Sequence, residues 1–311
     1  MWVVKYRKLF YTISGLLVLA SFASLFVWGL KPGIDFTGGT LIEVSYGNGN
    51  GGASQRPDQA AITSALVSID PTVSVRPSTT NTGEQEFIVR MKEVNQEEKA
   101  AVMTGLSLGG TATTTIKTFD SVGPVLGAEA LRKSIVSIIL VILGIVLYIT
   151  FAFRKVSEPV ASWKYGFVAV IALIHDVIIP TGVFSILGHF AGYEVDTLFV
   201  TALLVILGFS VHDTIVVFDR VRENLHHASA KKPFGEIVGE SVSQTFTRSI
   251  NTSLTTLIAL VVLYFVGGSI TEHFSLALIV GIAAGTYSSI FIGSTLLVTI
   301  AGADTKKGGN K

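Results

Sequence analysis

Six long apolar stretches, separated by polar segments, are the main pattern of the chain. In order they cover residues 9–30, 134–153, 165–188, 196–218, 249–267 and 274–301. A helix of about 20 apolar residues is long enough to cross the hydrocarbon core of a bilayer. The pattern therefore predicts six transmembrane helices, and the excess length of the last one predicts a tilt or a break near Gly281 or Gly285.

Residues 31–133, between the first two apolar stretches, have a different pattern. Runs with the two-residue period of strands alternate with runs of helical period, and Asn95 with Glu98 three residues later matches the capping box of a helix start. The predicted order is strand, helix, strand, strand, helix, strand, at residues 40–46, 57–66, 72–76, 86–91, 95–106 and 113–119. This is the split βαβ order of ferredoxin-like domains, so we predict an α+β domain here.

The distribution of Lys and Arg sets the orientation of the predicted helices. Basic residues lie at alternate ends of the six spans, whereas the short connections 189–195 and 268–273 carry none. Because basic loops stay on the cytoplasmic side, we place both termini in the cytoplasm and the ferredoxin-like domain outside. The expected parts are a cytoplasmic N-terminus with the first helix, an extracytoplasmic (periplasmic-side) domain, the remaining helical bundle and a cytoplasmic tail, at residues 1–30, 31–133, 134–303 and 304–311.

The first apolar stretch has a competing interpretation as a cleaved signal peptide. Ser21-Phe22-Ala23 is similar to a small-x-small cleavage site. The apolar run nevertheless continues through Leu30, which favours an uncleaved membrane helix.

Composition narrows the class of protein further. Of the 311 residues, 49% are hydrophobic and only 14% are charged, which is typical of a protein embedded in a lipid bilayer rather than of a soluble domain. The chain has no cysteine, which excludes disulfides and thiolate chemistry. The formal net charge of +1 gives no indication of a nucleic-acid partner.

An acidic residue, Asp213, lies inside the fourth apolar stretch, beside Ser210, His212 and Thr214. An ionisable side chain in the membrane is costly, so it indicates a functional site by default. The alternative is a structural polar contact between helices. Helical periodicity places Ser210 and Asp213 on one face. Adjacent helical residues point about 100° apart, so we expect His212 to be a packing residue rather than a partner of Asp213.

The third apolar stretch carries a second pair of this kind, His175-Asp176. Helices three and four run in opposite directions across the membrane, so Asp176 and Asp213 would face each other across a seam. On the sequence alone, a proton site and a structural contact are equally good interpretations of Asp176.

The fifth apolar stretch opens with a segment rich in polar residues. Its positions with helical spacing are Arg248, Asn251 or Thr252, and Thr255. One interpretation extends the Arg248 side chain to the lipid headgroups. The other pairs Arg248 with Asp213, so that protonation of the carboxyl group would release the arginine and switch the bundle between two states.

A glycine-rich segment follows the first apolar stretch. Glycine permits positive φ and close approach of the backbone, whereas the Gly-Lys-Ser/Thr sequence of a phosphate-binding loop is missing here. The segment is interpreted either as a simple turn or as a hinge between the first helix and the outer domain. Its characteristic residues are Gly33, Asp35, Phe36, Gly38, Gly39 and Thr40.

Residues 33–40, 207–224 and 248–257 together resemble the SecF branch of the SecD/SecF family of protein-export membrane proteins, in the resistance–nodulation–division (RND) superfamily. The resemblance implies an RND-like half-bundle in the cytoplasmic (inner) membrane. It implies partnership with SecD and the SecYEG channel, and preproteins as substrates moved with the proton motive force. It implies no enzymatic activity and no cofactor; protons are the expected coupling ion, and Na⁺ is the alternative.

The resemblance also assigns roles to residues. The family's proton-linked aspartate falls on Asp213, its fifth-helix arginine on Arg248 and a third-helix acidic position on Asp176. The chain departs from the family's Gly-Tyr-Ser-x-Asn-Asp sequence, because Phe209 replaces the tyrosine and His212 replaces the asparagine.

Two other functions are compatible with parts of the pattern. A proton-coupled exporter of small molecules or lipids from the same superfamily would need the same acid, although such pumps normally join two halves in one chain. An intramembrane aspartyl protease would use Asp176 and Asp213 as its acid pair. The Gly-x-Gly-Asp sequence of such proteases does not occur here.

Overall fold

The computed structural model describes residues 2–47, 57–78, 85–154, 161–229 and 232–308. In chain order its helices are α1 (Trp2–Lys5), α2 (Arg7–Trp28), α3 (Ile34–Thr37), α4 (Gln59–Leu66), α5 (Gln96–Leu106), α6 (Pro124–Ala152), α7 (Ser162–Phe190), α8 (Thr197–His227), α9 (Phe234–Val266), α10 (Ser269–Ser288) and α11 (Ser294–Gly308). The strands are β1 (Gly39–Tyr46), β2 (Ser74–Ser78), β3 (Gln85–Met91) and β4 (Thr114–Val122), and a π-helical segment, Ser289–Gly293, joins α10 to α11. The chain divides into two compact units, residues 1–31 with 135–311 and residues 32–134.

Six helices in the described ranges are long and apolar enough to cross a membrane, which confirms the predicted number. They are α2, α6, α7, α8, α9 and the continuous helix formed by α10, the π-helical segment and α11. Two of them begin well before the predicted apolar stretches, α6 at Pro124 rather than at 134 and α9 at Phe234 rather than at 249. Apolar residues mark only the part of a helix that lies in lipid, whereas the helical hydrogen bonds continue beyond it.

Helix α8 is at the centre of the membrane unit. It packs against α7, α9 and α10, and its buried side chains include Ile206, Leu207, Val217 and Phe218. By contrast, α6 is exposed along most of its apolar length. Polar side chains that α8 turns inward therefore lie among other helices and away from lipid.

The last membrane helix is continuous through Gly281 and Gly285, where a break was one of the two predictions, and its irregularity begins one turn after Gly285. Gly281 and Gly285 lie within the regular helix α10, and the irregularity is the π-helical segment that begins at Ser289. Gly281 has no space for a Cβ beside the Ile206 side chain of α8. The glycines therefore serve close packing of α10 on α8, which is their common use between membrane helices.

The unit of residues 32–134 has the predicted ferredoxin-like topology. Its antiparallel sheet has the strand order β2-β3-β1-β4, and α4 and α5 follow β1 and β3 in the chain. One face of the sheet is buried against the two helices, with Ile42 and Val89 among its fully buried residues. Helix α5 begins with the predicted capping box, in which Asn95 and Glu98 each accept a hydrogen bond from the other's backbone N–H.

Asp70, in the turn between α4 and β2, is a buried acid that connects two segments of this domain by hydrogen bonds. Its carboxylate accepts hydrogen bonds from the backbone N–H and the hydroxyl of Thr72 at 2.8 and 2.7 Å, and from the backbone N–H of Lys92 at 2.6 Å. Burial alone raises the pKa of Asp70, but these hydrogen bonds outweigh it and hold the pKa below the ordinary value of 3.8. Ionised Asp70 therefore ties its turn to the end of β3.

We expect the substitution Asp70→Asn to destabilise the ferredoxin-like domain by about 1–3 kcal/mol at neutral pH, because an amide cannot accept all three hydrogen bonds. Since the folded-state pKa lies below the ordinary value, the contribution of Asp70 is complete above about pH 4 and is lost as the pH falls through the folded-state pKa. Hydrogen exchange of the β1 and β3 amides in the full chain measures both effects.

The matched control is Asp120→Asn, at an exposed position of β4, which should leave amide exchange unchanged at neutral and at acidic pH. Equal protection of the Asp70→Asn variant and the unchanged chain at neutral pH would contradict this account of Asp70.

Candidate functional site

Asp213 lies within α8 and is enclosed by the bundle, with 6% of its surface exposed. Hydroxyl groups from two other helices bind its two carboxyl oxygens. Ser249 Oγ on α9 donates to Oδ1 at 2.6 Å, and Ser289 Oγ, on the first residue of the π-helical segment, donates to Oδ2 at 2.7 Å. One carboxyl group therefore connects three membrane helices.

The partner on α9 belongs to a stripe of small hydroxyl residues. Thr245, Ser249 and Ser253 follow one another at four-residue spacing, and all three are buried. Residues four apart lie on one face of a helix, so this stripe faces α8 and α10. Thr286 of α10 donates a hydrogen bond to Ser253 Oγ at 2.6 Å, one turn farther along the same seam.

Asp176 of α7 is fully buried and is the second acid of the seam. Ser288 Oγ donates to its Oδ2 at 2.7 Å, and the Ser210 hydroxyl of α8 donates to the same oxygen. Oδ1 of Asp176 lies 2.8 Å from Nδ1 of the neighbouring His175, whose ring is also buried. Ser210 therefore donates its hydrogen bond to Asp176 on the adjacent helix, although helical periodicity places Ser210 on the same face of α8 as Asp213.

The start of the π-helical segment connects the two acids. Ser288 and Ser289 are consecutive, yet the first binds Asp176 of α7 and the second binds Asp213 of α8. Such wide helical turns are rare and occur frequently at functional positions. Gly285, one turn earlier, lies beside the Asp176 carboxyl group, where a Cβ would be 3.6 Å from Oδ2. The two acids thus share one seam, as the antiparallel helices three and four predict.

The predicted ion pair between Asp213 and Arg248 is not formed among the described residues, so this contact prediction is wrong for the chain on its own. Arg248 is exposed, at a surface cavity of about 270 Å³. The reason is local, because residues 248 and 249 point about 100° apart, and Ser249 takes the inward position. The cavity is otherwise lined by Val216, Asp219, Arg220, Glu223, Gln244 and Thr245.

Three further polar positions predicted beside Arg248 are exposed as well, namely Asn251, Thr252 and Thr255. The hydroxyls of Thr252 and Thr255 donate to backbone carbonyl groups of their own helix. The segment carries polar residues on both sides of α9, so helical spacing alone does not identify the side that turns inward. Any role of these residues and of Arg248 in proton coupling stays a prediction.

The polar neighbours of Asp213 on α8 are also divided between two sides. Thr214 is buried, whereas His212 is exposed, so the expectation that His212 packs inside is wrong. Phe209 packs partly buried in the apolar cluster formed by α7, α8, α9 and α10. The two positions that depart from the family sequence therefore lie away from the hydrogen bonds of Asp213.

The hydroxyl partners determine what the seam can do chemically. Within the described ranges, neither Asp176 nor Asp213 forms an ion pair with a lysine or an arginine. A serine hydroxyl can donate to a carboxylate and can accept from a protonated carboxyl group. The partners of Asp213 can therefore stay bound in either charge state after rotation of a hydroxyl hydrogen, which suits a site that takes up and releases protons.

The glycine-rich segment forms a tightly packed joint inside the unit of residues 32–134. Gly38 has a φ of +76° and Gly39 a φ of +118°, which favour glycine. A Cβ on Gly38 would lie 2.8 Å from the Cα of Pro124, and a Cβ on Gly39 would lie 2.9 Å from the carbonyl oxygen of Met91. Close packing explains these glycines, and a hinge motion at the joint stays a prediction.

The other predicted residues of the segment pack around this joint. Gly33 and Phe36 are buried, and Asp35 is half-buried in the short helix α3. Thr40 is buried at the start of β1, where its hydroxyl accepts the backbone N–H of Val94 at 2.9 Å.

Three residues of the site escaped prediction, namely Ser249, Ser288 and Ser289. Serine is common between membrane helices, so a single serine carries little information. Two signals were present in the sequence: the four-residue spacing of hydroxyl residues along α9, and the consecutive serine pair in the middle of the last apolar stretch.

Comparison with known families gives two matches. Residues 106–303 match the family described as protein export membrane protein SecD/SecF, C-terminal, and residues 23–49 match the SecD/SecF GG motif. Among solved structures, the crystal structure of SecDF, a translocon-associated membrane protein, from Thermus thermophilus is similar with a TM-score of 0.79 and 29% identity. That comparison covers 96% of this chain and 38% of the SecDF chain, so this chain spans little more than a third of it.

Individual relatives are similar over nearly the whole chain. Protein translocase subunit SecF from Thermobaculum terrenum is 44% identical, over 96% of this chain and 93% of that protein. Protein translocase subunit SecF from Synechocystis is 39% identical, over 94% and 91%. Protein translocase subunit SecDF from Thermus thermophilus is 34% identical, over 96% of this chain and 39% of that protein. This chain is a multi-pass membrane protein and belongs to the SecF family of protein translocase subunits.

Proposed function

We propose that this chain works in the Sec protein translocase and uses the proton motive force, through Asp213, to assist the export of preproteins. The observation that carries the proposal is the enclosure of Asp213 by hydroxyl groups of α9 and the π-helical segment. A charge buried without a cation costs free energy. The protonation state of Asp213 therefore sets which arrangement of these helices is favoured.

In the proposed cycle, a proton from the outer side neutralises Asp213. The new O–H group of Asp213 then donates to the Oγ of one of its two serine partners, and the hydrogen of that serine hydroxyl rotates toward a backbone carbonyl. Ser289 already has such an alternative, because its Oγ lies 3.0 Å from the carbonyl oxygen of Thr286. Release of the proton to the cytoplasm restores the first arrangement, and we infer that the resulting helix movement reaches the ferredoxin-like domain through the joint at Gly38.

The exposed polar face of α9 indicates that this helix contacts a partner protein within the membrane. Arg248 and Asn251 are exposed on a spanning helix, and such side chains are costly in contact with lipid. The SecDF relative carries a further segment of chain beyond the part that matches here. We infer that SecD covers this face in the assembled protein and that Arg248 contributes its charge to proton coupling at the interface between the two halves.

The remaining parts of the proposal concern topology, further partners and the ion. Both termini lie in the cytoplasm, the ferredoxin-like domain lies outside, and the SecYEG channel supplies the path of the preprotein. Protons are the proposed coupling ion, with Na⁺ as the alternative that the next experiment distinguishes. An exporter of small molecules or lipids is the rival function, and it differs in requiring neither SecD nor SecYEG.

The substitution Asp213→Asn should abolish the stimulation of preprotein export by the proton gradient, because asparagine preserves size and polarity but cannot change its charge. The measurement is ATP-started export into inverted membrane vesicles that contain the full translocase, with an imposed H⁺ gradient, with an imposed Na⁺ gradient and with none. The ATP-driven step should be unchanged.

The control is Glu236→Gln, since Glu236 is an exposed acid in the first turn of α9 and should respond like the unchanged chain. Export that retains its full gradient dependence in the Asp213→Asn vesicles would remove Asp213 from the mechanism. A response of the unchanged chain to the Na⁺ gradient alone would show that Na⁺, rather than the proton, is the coupling ion.

Ser249→Ala and Ser289→Ala should each reduce gradient-stimulated export by roughly tenfold, because each removes one hydrogen bond to a carboxyl group that is charged in one state. Thr201→Ala is the matched control on α8, since its exposed hydroxyl bonds only to its own helix. A loss for Thr201→Ala as large as that for Ser249→Ala would mean that the removal of any hydroxyl group, rather than of one in the seam, impairs export.

A cysteine at Asn251 or Thr255 should cross-link to SecD through a thiol-attached photoreactive group, because both positions lie on the proposed interface. The chain has no cysteine of its own, so each variant carries a single thiol. Leu140→Cys, on the exposed apolar side of α6, is the lipid-facing control. Cross-linking of Leu140→Cys but of neither α9 position would place SecD elsewhere.

A further inference from the structure

His175 is a buried histidine with only one of its ring nitrogens engaged. Its exposed fraction is 5%, and Nδ1 lies 2.8 Å from Oδ1 of Asp176. Nε2 is buried and has no hydrogen-bond partner in the part of the chain that the structure describes. Buried polar atoms of this kind are few in folded proteins, because each costs the desolvation free energy of the group.

The surroundings of Asp176 determine which ring nitrogen can take up a proton. The carboxyl group accepts hydrogen bonds from Ser210 and Ser288 at Oδ2, which leaves Oδ1 for the ring of His175. We take Asp176 as ionised, so that its Oδ1 accepts the Nδ1–H and the neutral ring holds its lone pair at Nε2. In this arrangement the free nitrogen is the basic one.

Among the residues that the structure describes, few charged groups lie near this pair. From α10 the Tyr287 ring stacks on the His175 ring with 6.2 Å between centroids. From α8 the neighbouring acid is Asp213, whose partner Ser289 directly follows the Ser288 that binds Asp176. The titratable residues of α2, which also packs against α7, all lie in its first turns: Arg7, Lys8 and Tyr11. The charge of Asp213 is thus the nearest one that the proposed function changes.

We propose that His175 and Asp176 form a second proton-binding site, at which Nε2 takes up a proton when Asp213 loses its own. The proposal rests on the proposed function in one respect, namely that Asp213 changes its charge. In one state Asp213 is protonated, the imidazole is neutral and Asp176 is ionised. In the other state Asp213 and Asp176 are ionised and the imidazole is a cation.

One proton leaves the Asp213 carboxyl group and one is bound at Nε2, so the two states contain the same number of protons. The net charge of the three groups is one negative unit in both, and only its position changes. Because changes of net charge inside a bundle are costly, this exchange lowers the cost of ionising Asp213. The His175–Asp176 site therefore adds a second proton-binding position to the proposed mechanism.

Pairwise isotope labelling identifies His175 without any substitution. Of the six histidines, only His175 follows an isoleucine, Ile174. A full chain with ¹³C-carbonyl isoleucine and ¹³C,¹⁵N-histidine, reconstituted in lipid vesicles, gives one Ile–His correlation in solid-state NMR spectra. The ring nitrogens of that residue report its tautomer and its protonation between about pH 5 and 9.

The expected result for the unchanged chain is an Nδ1–H tautomer at the alkaline end and an imidazolium ring at the acidic end. In the Asp213→Asn chain, the ratio of imidazolium to neutral ring at a fixed pH should fall roughly tenfold, because a nearby negative charge has been removed. His212→Gln is the matched control, since this exposed histidine precedes the other acid and should leave the His175 signals unchanged.

A His175 ring that stays neutral over the whole range in the unchanged chain would overturn the proposal without use of any variant. Titration that is identical in the unchanged and Asp213→Asn chains would overturn the coupling. The export assay is independent of both results, so loss of the proposed function and loss of this second site are distinguishable.

Discussion

The hydrogen bonds between buried carboxyl groups and serine hydroxyls are the constraint on which the membrane unit depends. Asp213 and Asp176 together bind residues of α7, α8, α9 and the last membrane helix. Close approach of these helices requires small side chains, and the same small side chains supply the hydroxyl groups. The same serine side chains therefore determine both the packing of the bundle and the hydrogen bonds of its acids, so a change in protonation alters the packing.

The fold follows from the sequence to a large extent, because its strongest determinants are local. Apolar length predicts the six spanning helices, and strand and helix periods with one capping box at Asn95 predict the ferredoxin-like topology. Helix ends outside lipid were not predictable from apolar content, as the early starts of α6 and α9 illustrate. The π-helical segment at Ser289 was not predictable either, because it depends on partners in α7 and α8 that are distant in the chain.

The two acids of the candidate site were predicted from the sequence, whereas most of their hydrogen-bond partners were not. An acid in a membrane helix is rare enough to stand out, so Asp213 and Asp176 were identifiable from sequence. Arg248 was identified for the same reason, as a charged residue at a membrane helix. Its opposite charge to Asp213 does not produce an ion pair, because Ser249, the next residue on α9, occupies the inward position and binds Asp213. Polar residues on both sides of α9 make its rotation ambiguous, and only the packing of neighbouring helices resolves it.

The joint at Gly38 has a consequence for how the ferredoxin-like domain is attached to its chain. The segment that leads into the domain and the segment that leads out of it touch through backbone atoms, at Gly38 with Pro124 and again at Gly127 with Phe36. Within the unit of residues 32–134 these two segments are therefore joined to each other. A graft of this domain between related proteins would have to carry both segments as one block, since a side chain on either backbone would force them apart.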